Sequence, residues 1–209
     1  MKTSIIPILI LIILAGCTSN ADQIKVGIML PQTGLGASLG DQMLKGIDLA
    51  ANETGYPFEL IIEDDQCDAK QGVVAAKKLV EVNQVDAIIG PICTVAILPS
   101  IDIIESAKIP RITTGMVVQR VAEAGPYHFS LLPEMKHQMK AMTDYASQKG
   151  YKRIAAIAIN DDLGKESIAE LKQALSEKGI GLVAEEYFDR PETDFRARLT
   201  KIDTSSLTI

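Results

Sequence analysis

The sequence predicts an α/β fold, with parallel sheets carrying helices on both faces. Three observations carry this. Short apolar runs at Ile24–Leu30, Phe58–Ile62 and Val85–Ile89 each stop at a turn or a polar cluster, as buried strands do. Between them, over about 41–52 and 69–82, apolar residues recur at helical spacing. With a further strand at Arg111–Thr113, the order reads β-α-β-α-β-α-β. That alternation argues for a parallel sheet joined by right-handed crossovers.

Each element follows from its own residues. The first strand ends at Pro31 and leads into the loop Gln32-Thr33-Gly34-Leu35-Gly36-Ala37-Ser38-Leu39-Gly40-Asp41. The first helix then places Met43, Leu44, Ile47, Leu49 and Ala50 on one side. Gly55 and Tyr56-Pro57 break the chain before the second strand. The second helix turns Val73, Val74, Ala76, Leu79 and Val80 inward. The run Val85-Asp86-Ala87-Ile88-Ile89 stops at Gly90-Pro91, and a helical pattern follows through Ser106. Thr94 is expected to N-cap that helix through its hydroxyl. Pro99 is expected near the first turn, because an interior proline loses a hydrogen bond and clashes. A strand running into a helix N-terminus suits an anion, and open α/β sheets bind ligands at such strand ends. An ordinary β-turn-α link reads the same way.

Beyond Val117–Gly125, read as a loop with one helical turn, Tyr127–Leu132 is extended. Pro133 opens a helix to about Lys149, with Met135, Met139, Met142 and Tyr145 on one face. Arg153–Ile159 is a small, apolar strand. Lys165–Lys178 is an amphipathic helix, Ile180–Phe188 a strand, and Thr193-Asp194 caps a helix through Ile202. This divides the body into a first lobe at 24–133 and a partial second lobe at 134–209. Two parallel strands are too few for an independent sheet. The chain is therefore read as a piece of a longer, two-lobed protein.

Composition narrows the function. The chain has 209 residues, 47% of them hydrophobic, with a net charge of −6. No basic cluster is present, which argues against nucleic acid as a partner. Trp is absent and aromatics are 4%, so a pocket should be lined by aliphatic groups and hydroxyls. Residues 1–17 read as a secretory signal, with Lys2, an apolar run and the ending Leu14-Ala15-Gly16-Cys17. That ending resembles a bacterial lipobox, which implies a lipid anchor on Cys17. Residues 18–23 are polar and read as a tether. The body is expected outside the cytoplasm.

Cys67 and Cys93 remain, each just past a strand. Adjacent strands would bring them together, and an exported chain favours a disulfide over two separate thiols. A zinc site is disfavoured because His128 and His137 lie far along the chain. Gly34-Leu35-Gly36-Ala37-Ser38-Leu39-Gly40 is a near match to a dinucleotide fingerprint, but its last glycine is one residue too far. No cofactor is expected. The acid pairs Asp64-Asp65 and Asp161-Asp162 are expected to cap helices and sit in water. No catalytic constellation is visible, and the chain is not read as an enzyme.

These residues resemble the leucine/isoleucine/valine-binding proteins, the type I periplasmic binding proteins that feed ABC importers. The likeness is carried by Ile24-Lys25-Val26-Gly27-Ile28, Leu39-Gly40-Asp41 and Asp64-Asp65-Gln66-Cys67-Asp68. It continues through Ile89-Gly90-Pro91-Ile92-Cys93-Thr94, Ile109-Pro110, Thr114-Gly115 and Asn160-Asp161-Asp162-Leu163-Gly164-Lys165. The resemblance implies a periplasmic-binding-protein-like I fold of two lobes, the second incomplete, that close on a solute by a hinge. It also implies a Cys67–Cys93 disulfide and ABC permease subunits as partners. Thr94 stands where the family holds a ligand carboxylate, with Thr114, Gly115 and Val117 in the next strand-end loop. Leu39 and Leu163 stand where the family often has an aromatic and a tyrosine, and Pro133-Glu134 where it often has an aspartate. The implied ligand is a branched-chain amino acid, an amide or a related carboxylate, expected to be held weakly or not at all by so short a chain. A ligand-sensing domain of a receptor or regulator shares the fold and is the alternative.

Overall fold

A computed structural model describes residues 23–202. The signal segment, Cys17, the tether to residue 22 and the stretch after Ile202 lie outside the described residues.

Strands β1 (Ile24–Leu30), β2 (Phe58–Asp64), β3 (Ala87–Ile89), β4 (Arg111–Thr113) and β5 (His128–Ser130) form one sheet in the order β2-β1-β3-β4-β5. All its pairings are parallel. β1 sits inside the sheet, which is why it reads as a nearly unbroken apolar run. Helices α2 (Ala69–Lys77) and α3 (Thr94–Ser106) pack over one face. Their core joins Met29, Ala75, Ala76, Leu79, Val85, Ile88 and Ile104. The two helices approach closely at Gly72, where a Cβ would strike the Ala96 backbone. Helix α1 (Ala37–Thr54) buries only Gly40, packed on the Pro31 carbonyl. It begins earlier than its apolar periodicity predicts, so the end of the glycine-rich loop is helical. α2 is shorter than predicted, because Lys78–Asn83 widens into a π-helical turn.

The short helix α4 (Gln119–Ala122) follows β4, and α5 (Met135–Gln148) leads to the second sheet. That sheet pairs β6 (Arg153–Ile159) with β7 (Gly181–Phe188) in parallel around α6 (Asp162–Glu177). Helix α7 (Arg196–Lys201) closes the described chain. The second core gathers Ala146, Leu171, Leu175 and Ile180.

Several expectations are corrected. Met142 and Tyr145 are 58% and 57% exposed rather than inward, because α5 meets the second core through Met139 and Ala146. α6 starts at Asp162, with Asp161 as its N-cap. α7 starts at Arg196; the Asp194 carboxylate accepts from the Arg196 N–H at 3.1 Å, and Phe195 is the N-cap. Pro99 lies inside α3 and not in its first turn. Its missing N–H would have met the Val95 carbonyl, and both residues line the cleft described below. The lost bond therefore falls on an open side of the helix and not in the core.

One buried hydrogen-bonded knot around the Arg111 guanidinium ties the first sheet to α3. Arg111 is 1% exposed. Its guanidinium donates to Ser100 Oγ at 2.8 Å and to His128 Nδ1 at 3.0 Å. Burial pulls Arg111 down to about 10, opposed by the charge of Glu105. Burial and the Arg111 charge hold His128 at about 4, so the imidazole is neutral and accepts at Nδ1.

Candidate functional site

A cavity of about 690 Å³ opens between the two sheets. Its walls come from loops and helix starts past the carboxyl ends of β1, β2, β3, β4, β6 and β7. The strands of each sheet run parallel, and α1, α2, α3, α4 and α6 contribute lining residues from their N-terminal parts.

The centre of the first-lobe wall is the start of α3. Cys93, not Thr94, occupies the N-cap position, with extended backbone and no side-chain cap. Thr94 is the first helical residue, and its hydroxyl donates to the Met116 carbonyl at 3.4 Å. The expected Thr94 cap is thus replaced by a tie to the β4–α4 loop. Thr94 and Val95 open the helix, where N–H groups lack an intrahelical acceptor, and both line the cavity.

Cys67 and Cys93 are joined by a disulfide, with Cα atoms 5.3 Å apart, and both line the cavity. The strands they follow are not neighbours, since β1 separates β2 from β3. The bridge instead spans two loops that converge over the end of β1. Asp64 fixes that convergence. Its carboxylate accepts from the Gln32 N–H at 2.8 Å, the Thr33 hydroxyl at 2.6 Å and the Gln66 N–H at 3.0 Å. Burial pushes Asp64 up, but the hydrogen bonds from Thr33, Gln32 and Gln66 outweigh it and hold the carboxyl below its usual range. Asp65 is fully buried, contrary to the expectation of a solvated acid. It accepts from the Cys67 N–H at 2.8 Å. Burial pushes it up to about 6, the Asp64 charge adding and the Cys67 N–H opposing. Neither acid caps a helix; Asp68 caps α2 instead, accepting from the Lys70 and Gln71 N–H groups.

Among the residues singled out from the sequence, Leu39, Thr94 and Leu163 line the cavity. Leu39 is 46% exposed. Leu163 reaches across from α6 and packs on the first-lobe cluster of Ile97, Leu98, Ile101, Val117, Val118 and Val121. Val117 is therefore core, Thr114 turns its hydroxyl to the Met43 sulfur at 3.5 Å, and Gly115 packs under Ile92 and Ile97. Met116 is the member of that loop on the wall. Asp102, Arg120 and Arg190 also line it and were not singled out. Asp102 lies two helical turns beyond Thr94, a spacing the sequence does show; Arg120 follows an aperiodic loop and carries no such signal. A second tie crosses the lobes where the Glu166 carboxylate accepts from the Gln119 N–H at the start of α4.

Asp65 and His128 make opposing contributions to acid stability. Asp65 titrates higher folded than unfolded, so its contribution is full below about 3.8 and is lost as pH rises through about 6. His128 titrates lower folded, so its contribution is full above about 6.5 and is lost as pH falls through about 4. Asp65→Asn is expected to leave stability rising from pH 4 to 6.5, and His128→Asn to leave it falling over 3.8 to 6. Each slope should sum to roughly 2 kcal/mol after discounting for solvent. Urea midpoints measured across this range check it; parallel profiles for both variants and the parent would contradict it.

The fold and cleft define a class: a two-lobed, parallel α/β protein with its cavity at the strand ends. Residues 23–208 match the periplasmic binding protein family, and the chain belongs to it. It is 29% identical over 191 residues to an amino acid binding protein of Pseudomonas aeruginosa, covering 87% of this chain and 51% of that protein. Among solved structures it is similar to the solute-binding protein of an ABC transporter from Rhodopseudomonas palustris BisB5 in complex with 3,4-dihydroxybenzoic acid. That likeness has 25% identity and a TM-score of 0.81, over 89% of this chain and 53% of the other. It is also similar to the branched-chain amino acid transporter substrate-binding protein of Streptococcus pneumoniae in complex with isoleucine. There the identity is 25% and the TM-score 0.75, over 86% of this chain and 53% of the other. The chain spans about half the length of the curated relatives it matches.

Proposed function

We propose that the chain is the binding portion of an extracytoplasmic, Cys17-anchored substrate-binding lipoprotein of an ABC importer. Its lobes, 24–133 and 134–209, hold a small solute such as an amino acid, an amide or a related carboxylate. The observation that carries this reading is the interlobe cavity of about 690 Å³, within the size range of small-molecule sites. At its head stands the α3 N-terminus with Thr94, suited to a carboxylate. Around it are Ile92, Leu98, Leu39 and Leu163, suited to an apolar body. The chain's membership of the periplasmic binding protein family supports an extracytoplasmic place and a binding role without catalysis.

Ligand-detected NMR with amino acids, amides and carboxylates at millimolar concentration tests the reading. Saturable binding is expected, weakened at least tenfold in Thr94→Val. The absence of any binding, or binding that Thr94→Val leaves unchanged, would overturn it.

A further inference from the structure

Each lobe has its own core, around Met29 and Ile88 in the first and around Leu171 and Leu175 in the second. Among the described residues the chain passes between the lobes once, at 131–134, between β5 and α5. Lobes joined in this way move relative to one another by default, unless a large apolar interface holds them. The cavity lies between them, so such motion opens and closes it.

The contacts that oppose this motion fall on one face of α6. Glu166 and Ser167 lie three and four residues after Leu163, which puts all three side by side on the helix surface. Ser167 meets the crossing itself. Its hydroxyl lies 3.6 Å from the Met135 sulfur, and the Met135 N–H donates to the Val117 carbonyl at 2.8 Å. Leu163 packs on the first-lobe cluster that includes Ile97 and Leu98, at the cavity. Glu166 is half-buried, and its carboxylate accepts from the Gln119 N–H of the first lobe. This is the one hydrogen bond that the carboxylate makes among the described residues.

Glu166 lies outside the wall of the solute cavity. It faces a separate space of about 420 Å³ between the lobes. Its neighbours there are the acids Glu123, Glu134 and Glu170, with Lys136 as counter-charge. Net charge thus does not draw Glu166 to the first lobe; the directed hydrogen bond does, and an ionised acceptor makes it a strong one.

We propose that Glu166 is a positioning residue: by holding the Gln119 N–H it latches the lobes over the solute cavity and raises the population of the closed, binding-competent form. This rests on the cavity being the ligand site, as proposed above. Apparent affinity scales with the fraction of molecules in the competent form. Because Glu166 touches no solute, its loss weakens the binding of every solute by one factor. That separates it from Thr94, whose loss acts on the carboxylate end.

The test is small-angle X-ray scattering of the full chain without solute, together with affinities for leucine, 4-methylpentanoate and 4-methylpentanamide by ligand-detected NMR. Glu166→Ala is expected to enlarge the radius of gyration, and saturating leucine to return it to the parent value. Every probe that binds the parent should bind this variant about three- to tenfold more weakly, by one common factor. Glu166→Gln keeps an acceptor and should recover most of both effects. Glu166 is on the helix surface, so both variants should fold, with circular dichroism as the check. Parent-like scattering and affinities in Glu166→Ala would overturn the inference and leave the binding reading standing. So would a loss confined to one probe among several, which means contact with the solute, or a Glu166→Gln variant no better than Glu166→Ala. If no probe binds the parent, the binding reading falls and scattering alone decides the latch, an unchanged radius overturning it.

Discussion

Replacing Cys67 and Cys93 together by serine is expected to lower the unfolding free energy by about 3.5 kcal/mol, on the loop-entropy relation. The bridge closes 26 residues, a stretch containing α2, the π-helical turn and β3. In the unfolded chain it removes the freedom of that whole segment. In the folded chain it holds the Asp64 loop against the start of α3, and both sulfurs border the cavity. The double variant should therefore lose solute affinity along with stability. Urea denaturation of parent and variant, with the slope compared as well as the midpoint, measures the effect. An unchanged midpoint would show that the converging loops hold themselves together without the bond.

Arg111→Ala is expected to cost about 3 to 5 kcal/mol, from a cavity together with buried acceptors left without a donor at about 1 to 3 kcal/mol each. The change leaves a cavity and strips His128 Nδ1 and Ser100 Oγ of their donor. It also leaves the partly buried Glu105 without the nearby positive charge. The knot itself is not expected to be worth this much. Exchanging both partners for apolar groups, as in Arg111→Met with His128→Phe, should recover part of this loss, because it fills the space and removes the orphaned His128 Nδ1, while Ser100 and Glu105 still lack the guanidinium. Thermal melts of the single and double variants distinguish the two. A double variant as unstable as Arg111→Ala would mean that the network contributes directly and not only through the cost of breaking it.

Part of the cleft was legible in the sequence, from local rules at the start of α3 and from the family resemblance elsewhere. Thr94 sits just past an apolar run at a helix start, whereas Leu39 and Leu163 were marked only through the family resemblance; all three reach the wall. Val117 shows where the local signal fails. Its loop was marked as a unit, yet the strand-end turn sends Val117 into the core and Met116 to the cavity. One residue's shift along a loop reverses its direction, and nothing in the residue types records which way the backbone turns. Asp65 is similar: beside Asp64 it reads as solvated, and only the closing of two loops over β1 buries it.

The sequence by itself determined the parallel α/β alternation, the strand positions and the location of the cysteines, because strand burial and helical periodicity are properties of short windows. β4 runs over Arg111–Thr113 as predicted, and β1 over Ile24–Leu30. Only the tertiary structure decided the order β2-β1-β3-β4-β5, and with it that the disulfide spans the end of β1. Only it placed Leu163 and Glu166 of the second lobe against the first. These depend on contacts between segments distant in the chain, whose closure entropy and side-chain packing are set by the whole fold and leave no trace in any one stretch of residues.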